Sequence, residues 1–263
     1  MNTDFKGETA VVVGATGAFG QAIVERLLAR GLKVVAVARS AASLQALSEA
    51  HAGVIPCVAD ISDDSAIEAI RTVLDDVALN GTVLKSTVRA VVHGPGVGVA
   101  GGILEAPTGT MVDAVNIKVG GLLRLSRAAD SFLTEGSRLI SIGGHYGLEP
   151  TAYAASAGVA NAALFNVSRQ LSLAYGERGV TAHVIAPGPA DTERLRNVAV
   201  ARAEMRGCTV DDVLDDMKAE SSISAFTTPG QVAWAVDMLL DPEATAMTGS
   251  TLMLDSGRRK GLP

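Results

Sequence analysis

The sequence predicts a single α/β domain built on a doubly wound parallel sheet of about seven strands, with helices on both faces. Short continuous runs rich in Val, Ile and Ala alternate along the chain with longer segments of helical periodicity. Parallel strands are buried on both faces, which is why continuous apolar runs rather than alternating patterns indicate them. A chain of 263 residues with 48% hydrophobic residues is long enough to build one large core.

Strand candidates and helix candidates alternate along the chain. Each strand candidate is short and rich in apolar residues, whereas each helix candidate repeats its apolar positions every three or four residues. Such units join neighbouring parallel strands by right-handed crossovers. The predicted strands are 9–13, 33–38, 54–59, 88–93, 138–142, 181–186 and 250–254. The predicted helices are 19–29, 43–50, 65–79, 112–132, 156–175 and 231–240.

The longest stretch outside this alternation is 190–226. It is charged, and Met205, Leu214, Met217 and Ile223 within it indicate short amphipathic helices. Two interpretations stay open: a lid over the substrate site, or a surface excursion without a role in function.

Composition and charge narrow the classes of function. The formal net charge of −6 argues against nucleic acid or an anionic membrane as a partner. No run reaches the length of a membrane span, and residues 1–6 lack the apolar core of a signal peptide. We therefore expect a cytoplasmic protein that acts on a small molecule. The two cysteines have no metal-ligand spacing; Cys57 is expected to be buried and Cys208 exposed.

A glycine-rich turn follows the first predicted strand and opens the first helix. Gly14, Gly17 and Gly20 permit a tight turn and a close approach of the backbone to a pyrophosphate. The helix N-terminus offers backbone amide donors to the phosphate charge. The alternative is a tight turn that binds no ligand. The predicted cofactor-binding residues of this turn are Gly14, Thr16, Gly17, Ala18, Phe19 and Gly20.

The end of the second predicted strand distinguishes between two nicotinamide dinucleotides. An acidic residue at this position binds the ribose hydroxyls of NAD(H). Here the residues are Ala38, Arg39 and Ser40, so no carboxylate repels a 2′-phosphate and the guanidinium can bind it. A solvated surface arginine is the alternative. We predict NADP(H) rather than NAD(H) as the cofactor, with Arg39 and Ser40 among the binding residues.

Further motifs extend from the first strand to the last. They are 5–14, Arg39 followed by Leu44, Asp60-Ile61, Pro187-Gly188 with Thr192, and 248–257. Together with the glycine turn, these motifs resemble the short-chain dehydrogenase/reductase family over nearly the whole chain. The resemblance implies a Rossmann-type fold in which Asp60 and Ile61 contact the adenine. It also implies that Pro187, Gly188 and Thr192 hold the nicotinamide end.

The chain departs from the family pattern at two backbone sites. Ala18 stands where glycine is usual, and His93-Gly94-Pro95-Gly96 replaces the family's Asn-Asn-Ala-Gly after the fourth strand. The backbone turn can survive this change, whereas the asparagine side-chain contacts cannot. We keep Gly94 as a predicted cofactor contact and expect His93 to serve structure.

The family's proton relay is not repeated in this sequence. In the resembled family a tyrosine protonates the substrate oxygen, a serine polarises it, and a lysine lowers the pKa of the tyrosine. Counted back without gaps from the loop after the sixth strand, these positions hold Gly144, Ala157 and Asn161. Matching Tyr153 to the tyrosine would instead need a shift of four residues, about 6 Å along a helix.

The helix predicted at 112–132 offers two candidates for an asparagine that the family also uses. A local match selects Asn116, whereas an ungapped count back from residues 124–127 selects Lys118. Side chains two positions apart on a helix point in directions that differ by roughly 200°, so only one of these two side chains can face the site. We favour Asn116.

Several side chains near the expected crevice are candidates to replace the relay. Tyr153 lies one turn before Ala157, while His145 and Tyr146 follow a strand end. His145 is expected to act as a general acid near neutral pH. Asn161 is expected to bind the ribose hydroxyls, with a polar residue satisfied inside the helix layer as the alternative. Packing against the predicted lid is the alternative for the other three. The predicted catalytic residues are Asn116, His145, Tyr146, Tyr153 and Asn161.

These observations predict an NADPH-dependent oxidoreductase, similar to ketoreductases, with a non-standard active site. Replacement of the tyrosine and lysine by smaller residues widens the pocket, which suits a bulky or polycyclic carbonyl substrate. Two alternatives stay open: a catalytically inactive NADP(H)-binding sensor or scaffold, and a lyase or isomerase without net redox change. The resemblance also implies a homo-oligomer, a dimer or tetramer paired through the helices predicted at 112–132 and 156–175.

Overall fold

Seven parallel strands form one sheet in the described part of the chain. The structure is a computed structural model that describes residues 5–79, 87–98 and 101–261, so residues 1–4 of the N-terminal segment considered above lie outside it. The strands are β1 Thr9–Val13, β2 Lys33–Ala38, β3 Val54–Val58, β4 Val88–His93, β5 Arg138–Ile142, β6 Thr181–Pro187 and β7 Thr251–Leu254. Their order across the sheet is β3-β2-β1-β4-β5-β6-β7, with parallel neighbours throughout. The predicted doubly wound parallel sheet is confirmed.

Helices cover both faces of this sheet. The α-helices of the described ranges are α1 Ala18–Ala29, α2 Ala41–Ala50, α3 Ser65–Leu79, α4 Thr108–Val115, α5 Gly121–Ala129, α6 Ala155–Tyr175, α7 Glu193–Arg206, α8 Val210–Ala219 and α9 Pro229–Met238. Side-chain oxygens cap the N-termini of several of these helices. Ser40 caps α2, and Thr228 forms a capping box at the start of α9, where Pro229 occupies the first helical position.

Alternate residues of the central strands enter two separate cores. Val12 and Ile140 belong to a cluster that also contains residues of α1 and α9. Val11 and Leu139 belong to a second cluster, which contains residues of α3 and α5. Successive side chains of a strand point to opposite faces, so a strand covered by helices on both sides is apolar along its whole length. The strand residues that line the cavity described below, Val13, Val37, Ala38 and Pro187, accordingly lie at the strand ends.

The strand order reverses between β1 and β4. From β1 the chain continues to β2 and β3 on one side of the sheet, and β4 then starts the other side. The loops that follow β1 and β4 leave in opposite directions and open a crevice between them. Backbone hydrogen bonds hold its edges: Gly14 N donates to Val37 O at 2.9 Å, and Gly94 N donates to Val13 O at 3.0 Å.

The long helix predicted at 112–132 is divided by a π-helical turn. Helix α4 begins earlier than expected, and Asn116–Gly120 adopts π-helical geometry before α5 continues. A π turn accommodates one extra residue and changes the direction of the side chains that follow it. Gly121 permits a close approach to β4, since a Cβ there would lie 2.7 Å from His93 Cε1.

The segment 190–226 contains α7 and α8, which confirms the expected short helices. Thr192 caps α7, and Thr209 forms a capping box at the start of α8. Met205 and Ile223, counted among the apolar positions of this segment, are instead exposed. The buried contacts between the two helices are made by Ala199, Ala203, Val213 and Met217.

We predict that Gly20→Ala destabilises the fold. A Cβ at this position would lie 2.1 Å from Gly14 O and 2.7 Å from Ala15 C, and backbone atoms cannot rotate away as a side chain can. Overpacking of this kind costs about 1–3 kcal/mol, which lowers Tm by roughly 2–12 °C. Thermal unfolding followed by circular dichroism measures the change.

The matched control is Gly109→Ala. Gly109 lies on α4, and nothing lies within 4 Å of a Cβ built on it. This variant should unfold at or slightly above the wild-type temperature, because alanine favours the helix more than glycine. Equal Tm values for Gly20→Ala and the wild type would contradict the steric argument.

Candidate active site

A cavity of about 1180 Å³ opens at the carboxyl ends of the central strands. It lies between the glycine turn, the ends of β2 to β6, and the helices α6 and α7. This is the crevice in which doubly wound sheets bind ligands. The predicted cofactor-binding residues all line it: Gly14, Thr16, Gly17, Ala18, Phe19, Gly20, Arg39, Ser40, Asp60, Ile61, Gly94, Asn161, Pro187, Gly188 and Thr192.

The glycine turn has the geometry of an anion site. Gly14 adopts a φ of +81°, a left-handed conformation that favours glycine. Gly17 is the N-cap of α1 and provides no side-chain cap, so the first amide groups of the helix are available to a bound phosphate. Ala18 is the first residue of α1, and its departure from the family's glycine leaves the turn intact.

The far end of the cavity, beyond β2, holds an arginine that is available to a ligand. Arg39 is exposed, and no carboxylate in the described part of the chain lies within ion-pair distance of it. The carboxylate of Asp60 accepts hydrogen bonds from the hydroxyl and amide of Ser62, at 2.7 and 3.0 Å, which lower the pKa of Asp60. The Ser40 hydroxyl accepts from Ser43 N at 3.2 Å and is engaged in the cap of α2.

Asn161 brings an unsatisfied polar atom to the opposite end of the cavity. It lies on α6 and is 5% exposed, and its Oδ1 has no hydrogen-bond partner among the residues described. An unpaired buried acceptor costs about 1–3 kcal/mol, so this atom suits a ligand hydroxyl. A Cβ on Gly144 would lie 2.9 Å from Asn161 Nδ2, which places these two residues side by side. The alternative of a polar side chain satisfied within the helix layer does not hold for Oδ1.

The loop after β6 closes the cavity on the α7 side. Gly188 N donates to Leu254 O at 3.0 Å and so continues the sheet beyond β6. Thr192 Oγ1 accepts from Leu195 N at 3.4 Å as the N-cap of α7. Gly188 and Thr192 therefore both line the cavity, held in place by the end of β7 and by the first turn of α7 respectively.

Two tyrosines form a hydrogen-bonded pair in the cavity wall. Tyr146 Oη and Tyr153 Oη are 2.6 Å apart, and their rings meet edge to face. Burial raises the pKa of Tyr146. The Arg202 guanidinium lies over the Tyr153 ring, 5.0 Å from its centroid. Tyr153 precedes the first turn of α6 and projects from a loop, whereas Ala157 and Asn161 line the cavity from the helix itself.

His145 occupies the cavity wall in a form that does not suit an acid near neutral pH. It is 4% exposed, and burial, followed by the nearby Arg258 guanidinium, lowers its pKa to about 4. The imidazole is therefore neutral at pH 7. The expectation that His145 acts as a general acid near neutral pH is corrected accordingly. Its ring packs beside that of Tyr146, with the centroids 3.9 Å apart.

The prediction that Asn116 faces the site is wrong. Its amide nitrogen donates to Ser62 O, and its Oδ1 accepts from Arg124 Nη1, both at 2.9 Å. These partners belong to the loop after β3 and to α5, and Asn116 does not line the cavity. The side chain is drawn away because both of its polar atoms find partners there.

Lys118 faces the cavity in place of Asn116. It is 3% exposed, and its Nζ donates to Ile142 O, at the end of β5, over 2.7 Å. Burial, and to a smaller extent the Arg194 guanidinium, lowers the pKa of Lys118 to about 7. The ungapped count along the helix pointed to this residue, so the sequence did contain the signal that the local match to Asn116 outweighed.

His93, Cys57 and Cys208 do not line the cavity. His93 is fully buried with Nε2 3.0 Å from Ile117 O, and burial lowers its pKa to about 3. Cys57 is buried, which raises its pKa to about 11, and Cys208 is exposed.

No cluster of His, Cys, Asp and Glu within the described ranges could hold a metal ion. The helices of those ranges also include none that is long and apolar enough to cross a membrane.

Comparison with known sequences agrees with this geometry. Residues 14–259 match the enoyl-(acyl carrier protein) reductase family. The 3-oxoacyl-[acyl-carrier-protein] reductase of Escherichia coli (strain K12) is 27% identical over 97% of this chain and 98% of its own length. The cyclic-di-GMP-binding biofilm dispersal mediator protein of the same organism is 29% identical, over 95% of this chain and 97% of its own length.

Solved structures share the fold over the whole chain. L-sorbose reductase from Gluconobacter frateurii, complexed with NADPH and L-sorbose, has a TM-score of 0.86 at 23% identity and covers 100% of both chains. A blue fluorescent protein from a metagenomic library, in complex with NADPH, has a TM-score of 0.80 at 25% identity, over 97% of this chain and 99% of that chain. The family match across residues 14–259 shows that this chain belongs to the short-chain dehydrogenase/reductase family of nicotinamide-dependent oxidoreductases.

Proposed function

We propose that this protein is an NADPH-dependent reductase of a carbonyl compound, similar to the ketoreductases among its relatives. The observation that carries the proposal is that the glycine turn, Arg39 and Asn161 all line one cavity. These groups provide amide donors for a pyrophosphate, a guanidinium for a further phosphate, and an unpaired acceptor for a ribose hydroxyl. When bound, the cofactor supplies a hydride to an electrophilic carbon.

Arg39 favours NADPH over NADH. Its guanidinium stands at the end of β2, where the carboxylate of the neighbouring Asp60 is already engaged by Ser62. A 2′-phosphate forms charge-assisted hydrogen bonds with a guanidinium, which the ribose hydroxyl of NADH cannot match. Two solved structures with the same fold were determined with NADPH.

We also infer that Gly144, Ala157 and Asn161 occupy the serine, tyrosine and lysine positions of the family. All three line the cavity, and the last two lie one helical turn apart on α6. Tyr153 lies outside that helix and bonds to Tyr146. In this assignment Asn161 holds the nicotinamide ribose through Oδ1 and transfers no proton.

The Tyr146–Tyr153 pair is assigned to the substrate. It lines both the cofactor cavity and an adjoining space of about 690 Å³, whose wall also includes Arg202 and the neutral His145. The two hydroxyls orient a substrate that enters from this space. The small side chain of Ala157 adds room beside them, which suits a bulky or polycyclic carbonyl compound.

The helices α7 and α8 are assigned as a lid over this substrate space. Arg194, Leu195 and Val198 of α7 line the cavity, as does Met217 of α8. A segment that contributes side chains to a crevice, yet packs through its own small cluster, is suited to open and close over a ligand.

A homo-oligomer paired through α4, α5 and α6 belongs to the same proposal. Val112 of α4 and Val159 and Leu173 of α6 are exposed apolar side chains on these helices. Ala160 and Leu164 of α6 are buried inside the protein's own core and do not contribute to this surface. We keep a cytoplasmic location as part of this proposal, since no feature of the described residues argues for another.

One comparison favours a second candidate, a nucleotide-binding protein without turnover. A relative 29% identical over 95% of this chain is named for binding cyclic di-GMP. A fold can keep its binding cleft while its chemistry is lost. Following the near-ultraviolet absorbance of NADPH with a panel of ketones, enones and quinones separates the two. Consumption of NADPH supports the reductase, and tight binding without consumption supports the binding protein.

Arg39→Ala should weaken NADPH binding far more than NADH binding. Loss of charge-assisted hydrogen bonds to the 2′-phosphate costs about 1.5–3 kcal/mol, or roughly 10- to 100-fold in Kd. Titration of the protein fluorescence or calorimetry with each cofactor measures the ratio. Arg127→Ala, which removes an exposed arginine outside the cavity, should leave both constants unchanged. Equal weakening of the two cofactors by Arg39→Ala would overturn the phosphate assignment.

Tyr153→Phe should lower kcat/KM for carbonyl reduction by about 10-fold while leaving the Kd of NADPH unchanged. The substitution removes the 2.6 Å hydrogen bond and leaves the hydroxyl of the half-buried Tyr146 without its partner, so the substrate is held less firmly. Tyr175→Phe is the matched control, since its hydroxyl bonds to Asp130 outside the cavity. Wild-type kcat/KM in Tyr153→Phe would remove the tyrosine pair from the substrate site.

A further inference from the structure

We propose that Lys118 is a catalytic residue, the source of the proton that the reduced carbonyl oxygen takes up. This inference rests on the proposed reductase function. Lys118 lies on the π turn between α4 and α5 and lines the same cavity as Gly144 and Asn161. It therefore approaches the site from a different helix than α6, on which Ala157 and Asn161 lie.

The hydrogen bonds of Lys118 leave donors for a ligand. A protonated lysine carries three N–H donors and no acceptor. Within the described ranges, its Nζ has one acceptor, Ile142 O at 2.7 Å, and no ion-pair partner. The side chain is 3% exposed, so bulk water does not surround the remaining donors. They are left to whatever occupies the cavity.

The position of the Lys118 ammonium places it beside the proposed reacting oxygen. Its acceptor, Ile142, is the last residue of β5 and stands two residues before Gly144. The Cβ position of Gly144 is in turn 2.9 Å from Asn161 Nδ2. Lys118, Gly144 and Asn161 thus line the same cavity around the end of β5, where the proposed register places the substrate oxygen.

The charges around Lys118 favour release of a proton. Arg194 of α7 has the same sign, while His93 of β4 stays neutral because burial lowers its pKa to about 3. Helix α6 contributes Ala157 and Asn161, neither of which is charged. Burial first, and Arg194 second, lower the pKa of Lys118 to about 7. A group with such a pKa can give up and regain a proton near neutral pH.

The resulting step balances in atoms and electrons. With a hydride supplied to the carbonyl carbon by a bound NADPH, the electron pair of the C–O π bond would form a new O–H bond with a proton from Lys118. The N–H electron pair stays on nitrogen, so Lys118 becomes a neutral amine. The products are an alcohol and NADP⁺, and the amine then takes a proton back from water.

A purely structural lysine would not account for this arrangement. The single hydrogen bond to Ile142 O ties the π turn to β5, but an uncharged donor such as glutamine could do the same. Burying a cation without a counter-charge opposes folding through lost hydration. Buried ionisable groups with shifted pKa values in a cleft are typical of catalytic sites.

The pH dependence of carbonyl reduction tests this role in Lys118→Met and Lys118→Arg. The ammonium is the proton donor, so the wild-type kcat should be highest below pH 7 and fall as pH rises through about 7. Lys118→Met should lower kcat by roughly 100-fold or more and abolish that fall. Lys118→Arg keeps the charge but cannot titrate near neutrality, so it should also lose the fall. Thermal unfolding establishes that each variant is folded.

Competitive acetylation of amines, quantified by mass spectrometry in the cofactor-free protein, gives a readout independent of turnover. Lys118 should reach half its maximal reactivity near pH 7, and NADPH should slow its labelling at least 10-fold. Lys33, an exposed lysine outside the cavity, is the internal control whose labelling NADPH should not change. Reactivity of Lys118 that appears only near the usual lysine value, about 10.4, would overturn the proposal.

Different results would exclude the catalytic role of Lys118 and the reductase function. If the wild type consumes NADPH and Lys118→Met retains both its kcat and its fall near pH 7, the lysine is not the proton source and the reductase function stands. If the wild type reduces none of the carbonyl compounds offered, the proposed function fails and the catalytic role of Lys118 fails with it.

Discussion

The close approach of the backbone at the ends of β1 and β4 is the constraint on which the cavity depends. A Cβ on Gly14 would lie 3.2 Å from the carbonyl carbon of Gly94, and one on Gly20 would lie 2.1 Å from Gly14 O. Because side chains are excluded there, backbone amides form that wall of the crevice. Fixed amide donors suit a pyrophosphate whatever reaction follows. The cofactor half of the cavity is therefore independent of the chemistry in the other half.

We propose that the reacting half of the cavity uses different side chains from those of the family. In the proposed assignment α6 contributes only the methyl group of Ala157 and the amide of Asn161, and the positive charge comes from Lys118 on the π turn. The π turn then accounts for the position of the buried lysine. It separates Asn116, whose side chain forms hydrogen bonds outside the cavity, from Lys118, which faces the cavity. The tyrosine pair, which we assign to the substrate, lines the cavity from outside the helix that carries Asn161.

Sequence reasoning was most accurate where the signal is local. Every predicted strand agrees with the structure to within one residue at each end, because buried Val- and Ile-rich runs end sharply at turns. The predicted cofactor-binding residues, all of which line the cavity, came from a strand, turn and helix interpreted together and from the family resemblance. The choice between Asn116 and Lys118 failed because the local match to Asn116 was preferred to the ungapped count that pointed to Lys118. The periodic pattern could not decide between the two residues, since a π turn leaves no mark in it. The protonation of His145 depends on burial and on Arg258, which is far away in the sequence.

A crystal structure of the protein with NADP⁺ and a carbonyl substrate analogue is the most direct test of this account. We expect the 2′-phosphate on Arg39, a nicotinamide ribose hydroxyl donating to Asn161 Oδ1, and Lys118 Nζ linked by hydrogen bonds to the analogue's oxygen. A Tyr153 hydroxyl placed over the nicotinamide ring and bonded to that oxygen, with Lys118 turned away, would contradict it. That result would make this chain a tyrosine-dependent reductase that lacks only the usual lysine.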